Sequence, residues 1–175
     1  MNLNFMEAIE ILERTPNTLE HFLSGLSEGW LNCNEGDHTW NAVEVVEHLI
    51  EAEKNNWIPR LEWLIREGEN KVFPPFDRFS HLNAGTEKSL PQIFEDFKSI
   101  RTENMMKLKN LINPEKDFDL IGLHPEFGQV RLRELLATWV VHDFTHISQI
   151  VRVMAERYRK DVGPWEAYLG ILKKK

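Results

Sequence analysis

Residues 132–153 read LRELLATWVVHDFTHISQIVRV, and this stretch carries the strongest helical pattern in the chain. The residues of one face recur at steps of three or four, which is the spacing that aligns side chains along an α-helix. That face consists of Leu132, Leu135, Trp139, His142, His146, Ile150 and Val153. The pattern predicts a long helix over residues 132–159 whose inward face includes two histidines.

The two histidines of this face have the spacing of a metal-binding pair. His142 and His146 are four residues apart, so their imidazoles lie one helical turn from each other. Two histidines so arranged bind one ion in the H-E-x-x-H motif, but its glutamate is missing here because Asp143 follows His142. A helix bundle completes such a site from a facing helix. His48, at an inward position of a second predicted helix, is the third candidate ligand.

Three neutral imidazoles would leave the double charge of an ion uncompensated and at least one coordination position open. Such an ion lowers the pKa of a bound water, and it can also bind a thiolate or polarise a carbonyl. Glu44 and Asp143 flank the histidines and are weak candidates for catalytic groups, and Glu51 could orient a ligand. A helix edge in contact with solvent explains these acidic residues equally well.

A second interpretation of the histidines is that they only pack in the core. The chain has seven histidines, so a pair four residues apart can arise by chance. Burial of three imidazoles without partners is costly, however, and this cost favours the metal interpretation.

The rest of the chain predicts three further long helices and a short one. The first covers residues 5–26, with a kink or a restart expected at Thr15-Pro16. The second covers residues 40–66 after an N-cap at Thr39, with a kink at Pro59. The third covers residues 90–113, and a short tail helix covers residues 164–172. These elements predict an all-α fold, a four-helix bundle with a short extra C-terminal helix, in which residues 1–175 form a single domain.

Two long connections separate the predicted helices. Residues 67–88 include Pro74-Pro75 and have no clean period, and a loop of this length is a candidate lid or pocket rim. Residues 113–130 form the second connection. His81 and His124 lie in these two loops, and either could line a pocket, but the favoured interpretation is that they are ordinary polar loop residues.

Composition and charge exclude several classes of function. The formal net charge of −7 disfavours binding to nucleic acid. The sequence contains no run of 18 apolar residues, so a membrane span is not expected. The first ten residues do not resemble a signal peptide. The only cysteine, Cys33, cannot form a disulfide within the chain, which suits the cytoplasm. Its surroundings do not suggest a nucleophile.

Four stretches of the sequence together resemble a known family. They are WNAVEVVEHL at residues 40–49, GQVRLRELL at 128–136, HDFTHISQI at 142–150 and VGPWEAYL at 162–169. In this combination they resemble the DinB-like family, a group of four-helix bundles regarded as metal-dependent enzymes. The metal-binding triad of that family falls on His48, His142 and His146. The chain departs from the family at Arg131, where relatives often have a serine or threonine helix cap.

The resemblance implies a metal-dependent hydrolase or transferase acting on a small molecule. Some relatives use a low-molecular-weight thiol, and others have no known activity. Zinc and nickel both suit a site of imidazoles. The resemblance also implies a homodimer. The alternative function is a non-catalytic, metal-stabilised bundle that serves as a stress-related binding protein.

Overall fold

Helices account for nearly all of the regular structure in the computed structural model, which describes residues 2–83 and 88–173. The helices are α1 (Phe5–Leu23), α2 (Glu28–Leu31), α3 (Ala42–Asn55), α4 (Trp57–Glu67), α5 (Ser80–Asn83), α6 (Leu90–Leu111), α7 (Pro114–Asp117) and α8 (Leu132–Glu156). Two short strands, β1 (Ile121–His124) and β2 (Gly128–Arg131), form an antiparallel hairpin. The all-α four-helix bundle is confirmed, with this hairpin as a small addition.

The long helices α1, α3, α6 and α8 form the bundle. Helix α1 packs against α6 and α8, and α3 packs against the same two helices. Helices α1 and α3 therefore lie diagonally opposite each other although they are consecutive long helices in the sequence. None of the described helices is long and apolar enough to cross a membrane.

Helix α1 continues through the position where the sequence predicts a kink or a restart. Pro16 has no N–H group, so the carbonyl of Leu12 loses its partner within the helix. The guanidinium of Arg101 on α6 donates a hydrogen bond to this carbonyl at 2.6 Å. A contact between two helices thus replaces the missing bond.

The second predicted helix is two helices, and the break lies before Pro59 rather than at it. Helix α3 ends at Asn55, and α4 starts at Trp57. A proline ring clashes with the carbonyl four residues earlier, which here belongs to Asn55. The break at Asn56 places Pro59 in the first turn of α4, where its missing N–H costs no hydrogen bond.

The two long connections contain more structure than the sequence predicts. In the first, Val72 bridges Leu123 of β1, so the connection is attached to the hairpin. Gly122 lets β1 pack closely on Leu64 of α4 and on Phe73 of the connection, because a Cβ atom there would lie 2.9 Å from the Cγ of Leu64 and 3.0 Å from the Phe73 ring. The predicted tail helix is also different, since Gly163–Tyr168 and Gly170–Leu172 form short 3-10 turns.

The bundle core contains a buried cluster of charged and polar groups. The guanidinium of Arg101 donates to both carboxylate oxygens of Asp143, at 2.7 and 3.1 Å, and contacts a carboxylate oxygen of Glu53 at 2.8 Å. Asn104 and Trp139 donate to Glu53 as well, each at 2.9 Å. Burial opposes the charge of Arg101, but the two carboxylates outweigh it and raise the pKa of the guanidinium. The cluster links α3, α6 and α8 next to the predicted metal ligands.

Candidate metal centre

Three histidines from two helices converge where α3 packs against α8. The Nε2 atom of His142 lies 3.3 Å from Nε2 of His48 and 3.1 Å from Nε2 of His146. The ligand atoms of all three lie within 4.8 Å of one another. The structure therefore brings together the three residues that the sequence selected.

Neighbouring groups orient two of the three imidazoles. The Nδ1–H of His48 donates to the backbone carbonyl of Arg78 at 3.1 Å, and the Nδ1–H of His146 donates to Gln149 Oε1 at 2.8 Å. With the proton on Nδ1, the lone pair is on Nε2 and points towards the other rings. His142 Nδ1 is buried and has no hydrogen-bond partner within residues 2–83 and 88–173. Contacts of this kind fix the tautomer and the ring orientation of histidine ligands in metal proteins.

The spacing of the three nitrogens fits a shared cation. Imidazole nitrogens bind zinc at about 2.0–2.1 Å, so two of them on a tetrahedral ion lie about 3.3 Å apart. Two of the three separations here are 3.1 and 3.3 Å, and all three lie within 4.8 Å. Without a shared cation, a proton on His142 Nε2 could hydrogen-bond to the lone pair of either His48 or His146, but not to both at once. The donor set thus suits one divalent ion that binds nitrogen ligands.

The surroundings keep the imidazoles neutral, which is the form that binds metal. Burial lowers the pKa of His48 to about 4, and the neighbouring His146 and His81 contribute. Burial likewise lowers the pKa of His142 to about 3, with His146 and His48 adding to the effect. The pKa of His146 is also lowered, chiefly by burial. No deprotonation step is needed before an ion binds near neutral pH.

The three histidines open onto a cavity of about 670 Å³. Helices α4 and α8, the first long connection and the hairpin contribute its walls. The aromatic residues on these walls are Trp40, Trp57, Phe73, Phe76 and Phe127. A cavity of this size accommodates a small molecule. The first connection does line it, as expected for a pocket rim, but part of that segment, residues 84–87, lies outside the described residues.

Two further residues surround the histidines, and the sequence singled out neither as a site residue. The ring of Trp40 lies 4.8 Å from the ring of His48 and 6.3 Å from that of His146. His81 on α5 is buried, with its ring 4.5 Å from Trp40 and 5.2 Å from His48. The interpretation of His81 as an ordinary loop residue was therefore wrong. Its segment has no periodic pattern, so no signal in the sequence indicated its burial.

The acidic residues proposed as catalytic groups do not line this cavity. Glu44 caps α3, because its carboxylate accepts from the N–H of Asn41 at 2.8 Å. The N-cap of α3 is thus Asn41 and not Thr39. The carboxylate of Asp143 is fully buried and bound to Arg101. Both carboxylates are therefore engaged in structural contacts.

Glu51 and Cys33 also have structural contacts. Glu51 accepts a hydrogen bond from Ser80 at 3.1 Å, which ties α3 to the helix that carries His81. The thiol of Cys33 donates to the carbonyl of Trp30 at 3.1 Å, and burial raises its pKa. A thiol with a raised pKa is a poor nucleophile, in agreement with its interpretation as a structural residue.

At Arg131, where the family resemblance expects a serine or threonine, helix α8 begins with a different cap. The backbone N–H of Arg131 donates to the carboxylate of Glu134 at 2.8 Å. This is one half of a capping box. The entry into α8 is thus stabilised by the residue three positions later, and His142 and His146 remain in register.

Comparisons with known proteins agree with this architecture. A solved structure of YfiT from Bacillus subtilis matches 91% of this chain and 90% of its own at 20% identity, with a TM-score of 0.70. YfiT is described as a probable metal-dependent hydrolase with an unusual four-helix bundle topology. A search of curated proteins found no match. The family model of the DinB superfamily matches residues 11–150, a span that includes His48, His142 and His146. This protein therefore belongs to the DinB superfamily.

Proposed function

We propose that this protein is a metal-dependent enzyme that uses His48, His142 and His146 to bind one divalent ion and acts on a small molecule. The observation that carries the proposal is the convergence of three Nε2 atoms, two of whose separations are 3.1 and 3.3 Å. YfiT, which has the same fold, is described as a probable metal-dependent hydrolase, and this description supports the proposal. Zinc and nickel are the candidate ions.

The chemistry proposed is transfer or hydrolysis. When bound by three neutral imidazoles, a divalent ion supplies Lewis acidity that activates a water or a thiol at an open position. The chain supplies the rest. Gln149 and the carbonyl of Arg78 hold two rings in place, and the aromatic walls exclude water around a substrate.

Elemental analysis of the purified protein tests metal binding. We expect about one ion of zinc or nickel per chain, and its loss when His48 or His142 is replaced by alanine. His21→Ala is the matched control, because His21 is an exposed histidine on α1, away from the cavity. Retention of full metal by His142→Ala would show that the three histidines do not form the site.

Activity assays separate an enzyme from the non-catalytic alternative. A screen of thiol conjugation and of ester and amide hydrolysis should find an activity that chelation abolishes. A variant with alanine in place of His48, His142 and His146 should lack this activity. If the metal is bound but no such activity depends on the histidines, the function would be that of a metal-stabilised binding protein.

We further propose that the protein works as a homodimer in the cytoplasm. The dimer follows from the family resemblance. The cytoplasmic location follows from the single cysteine, Cys33. Sedimentation equilibrium should give twice the mass of the chain. A monomer at micromolar concentration would contradict the dimer.

A further inference from the structure

A second polar patch lines the same cavity as the three histidines. It consists of Asn56, which precedes α4, and Arg60, which lies in its first turns. The two residues are four positions apart, so their side chains project from the same side of the helix. Neither residue takes part in the contacts described above.

Both side chains carry a buried polar atom that has no hydrogen-bond partner among the residues that the structure describes. In Asn56 this atom is Oδ1, and the residue as a whole is only 5% exposed. The Nε of Arg60 is in the same state. Buried polar atoms in folded proteins are almost always hydrogen-bonded, and leaving such a bond unmade is destabilising. Two such atoms on one cavity wall indicate a place for a polar ligand.

The charge of Arg60 is also unbalanced. Within the described part of the chain, no carboxylate forms an ion pair with its guanidinium. Two carboxylates share the cavity, but that of Glu134 is bound to the backbone of Arg131, and Glu126 is exposed. The guanidinium lies over the ring of Phe73 at 5.5 Å, which holds it in place. Burial lowers the pKa of Arg60. An anion beside the guanidinium would offset this effect, because it stabilises the charged form.

We infer that Arg60 and Asn56 form the anchor for a carboxylate group of the substrate, next to the three histidines. The inference rests on the proposed function for the identity of the reacting centre. The planar guanidinium donates parallel hydrogen bonds to a carboxylate, and the amide of Asn56 can rotate to donate a further one. Arg60 is half-buried, whereas Arg78, which also lines the cavity, is exposed, so one inner guanidinium suits a monoanion. The aromatic walls around it suit an apolar remainder, so the substrate class is a small carboxylic acid with a hydrocarbon or aromatic part.

Isothermal titration calorimetry with matched probes tests the anchor. The probes are benzoate and 3-phenylpropionate, each compared with the corresponding neutral amide, and the protein is used zinc-loaded and chelator-treated. We expect the better carboxylate to bind about tenfold or more tightly than its amide in both forms. Binding in the chelator-treated form is the essential result, because it separates this anchor from coordination to the ion.

Two substitutions test whether Arg60 carries the preference. Arg60→Met keeps an apolar stem and should bring acid and amide to within about twofold of each other. Asn56→Asp places a carboxylate beside Arg60 and should remove the preference by pairing with it. Arg66→Met is the control, since Arg66 is an exposed arginine of the same helix that pairs with Glu67. It should leave both affinities unchanged.

Three results would overturn the inference. They are a preference for the acid that persists in Arg60→Met, an absence of binding for every probe, and a preference that requires zinc but not Arg60. The last would mean that the carboxylate binds the ion. If the protein instead holds no metal but shows the Arg60-dependent preference, the proposed metal function fails and the carboxylate anchor stands.

Discussion

At the level of single residues, the geometry of the metal centre depends on the groups that hold each imidazole. Gln149 accepts from the Nδ1–H of His146 at 2.8 Å and so directs Nε2 towards the other two rings. His48 receives the same orientation from the backbone carbonyl of Arg78. A side chain can be replaced whereas a carbonyl cannot, so Gln149 is the residue at which this orientation can be tested.

We predict that Gln149→Ala weakens metal binding by about 10- to 100-fold, because the ring of His146 loses the contact that fixes its tautomer. Competition with a chromophoric chelator measures the dissociation constant. Thr145→Ala is the control, since Thr145 is exposed on the same helix and its hydroxyl donates to the carbonyl of Val141 one turn earlier. An unchanged dissociation constant in Gln149→Ala would show that this contact does not orient the ligand.

The lowered pKa values of the histidines predict a pH dependence of stability in the metal-free protein. In the unfolded chain these groups take up protons near pH 6.5, whereas in the folded chain His48 does so near 4 and His142 near 3. The unfolded state therefore binds more protons between these values. The stability contribution of the neutral imidazoles is complete above pH 6.5 and is lost as the pH falls towards 4 and 3.

Urea unfolding of chelator-treated protein at about pH 7.5 and about pH 5.5 measures this effect. The wild type should lose more stability between the two pH values than the double variant His48→Asn, His142→Asn. Equal losses in the two proteins would mean that the buried imidazoles are not the groups that titrate.

At the scale of elements, the buried cluster around Arg101 holds α3, α6 and α8 together. Arg101→Met would leave the carboxylates of Glu53 and Asp143 buried without their cation. We predict a loss of about 3–5 kcal/mol in the free energy of unfolding, measured by urea denaturation.

The matched control for this variant is Lys98→Met, one turn earlier on α6. Lys98 pairs with Glu20 near the surface, where its side chain is 33% exposed. Loss of such a partly exposed pair should cost far less than loss of the buried cluster, because solvent screens it. If the two variants were destabilised equally, the buried cluster would not be the device that joins the helices.

Some of the elements could be predicted from the sequence, and others could not. The inward face of α8 was readable because seven residues follow one period, and that face places His142 and His146 correctly. The sequence predicts the break at Pro59, but the helix breaks at Asn56. The reason is that a proline disrupts the helical turn that precedes it. Arg101 and Asp143 are 42 residues apart, and no local pattern reveals a pair at that separation. The hairpin has strands of four residues, too short to show a period.

At the scale of the whole molecule, the bundle and the two long connections have different tasks. The helices hold the three histidines at fixed separations. The connections and the hairpin build the cavity in front of them, with Arg60 on the wall of α4. Predicting that cavity from sequence requires the contacts between distant segments, such as the bridge between Val72 and Leu123. This is why the cluster of three histidines could be predicted but the polar patch of Asn56 and Arg60 could not.

Anomalous X-ray diffraction from crystals of the zinc- or nickel-loaded protein would locate the bound ion. We predict one strong anomalous peak, at about 2.0–2.1 Å from the Nε2 atoms of His48, His142 and His146, with a further coordination position open to the cavity. A peak bound to other residues, or three histidines that bond to one another with no ion between them in metal-loaded crystals, would contradict it.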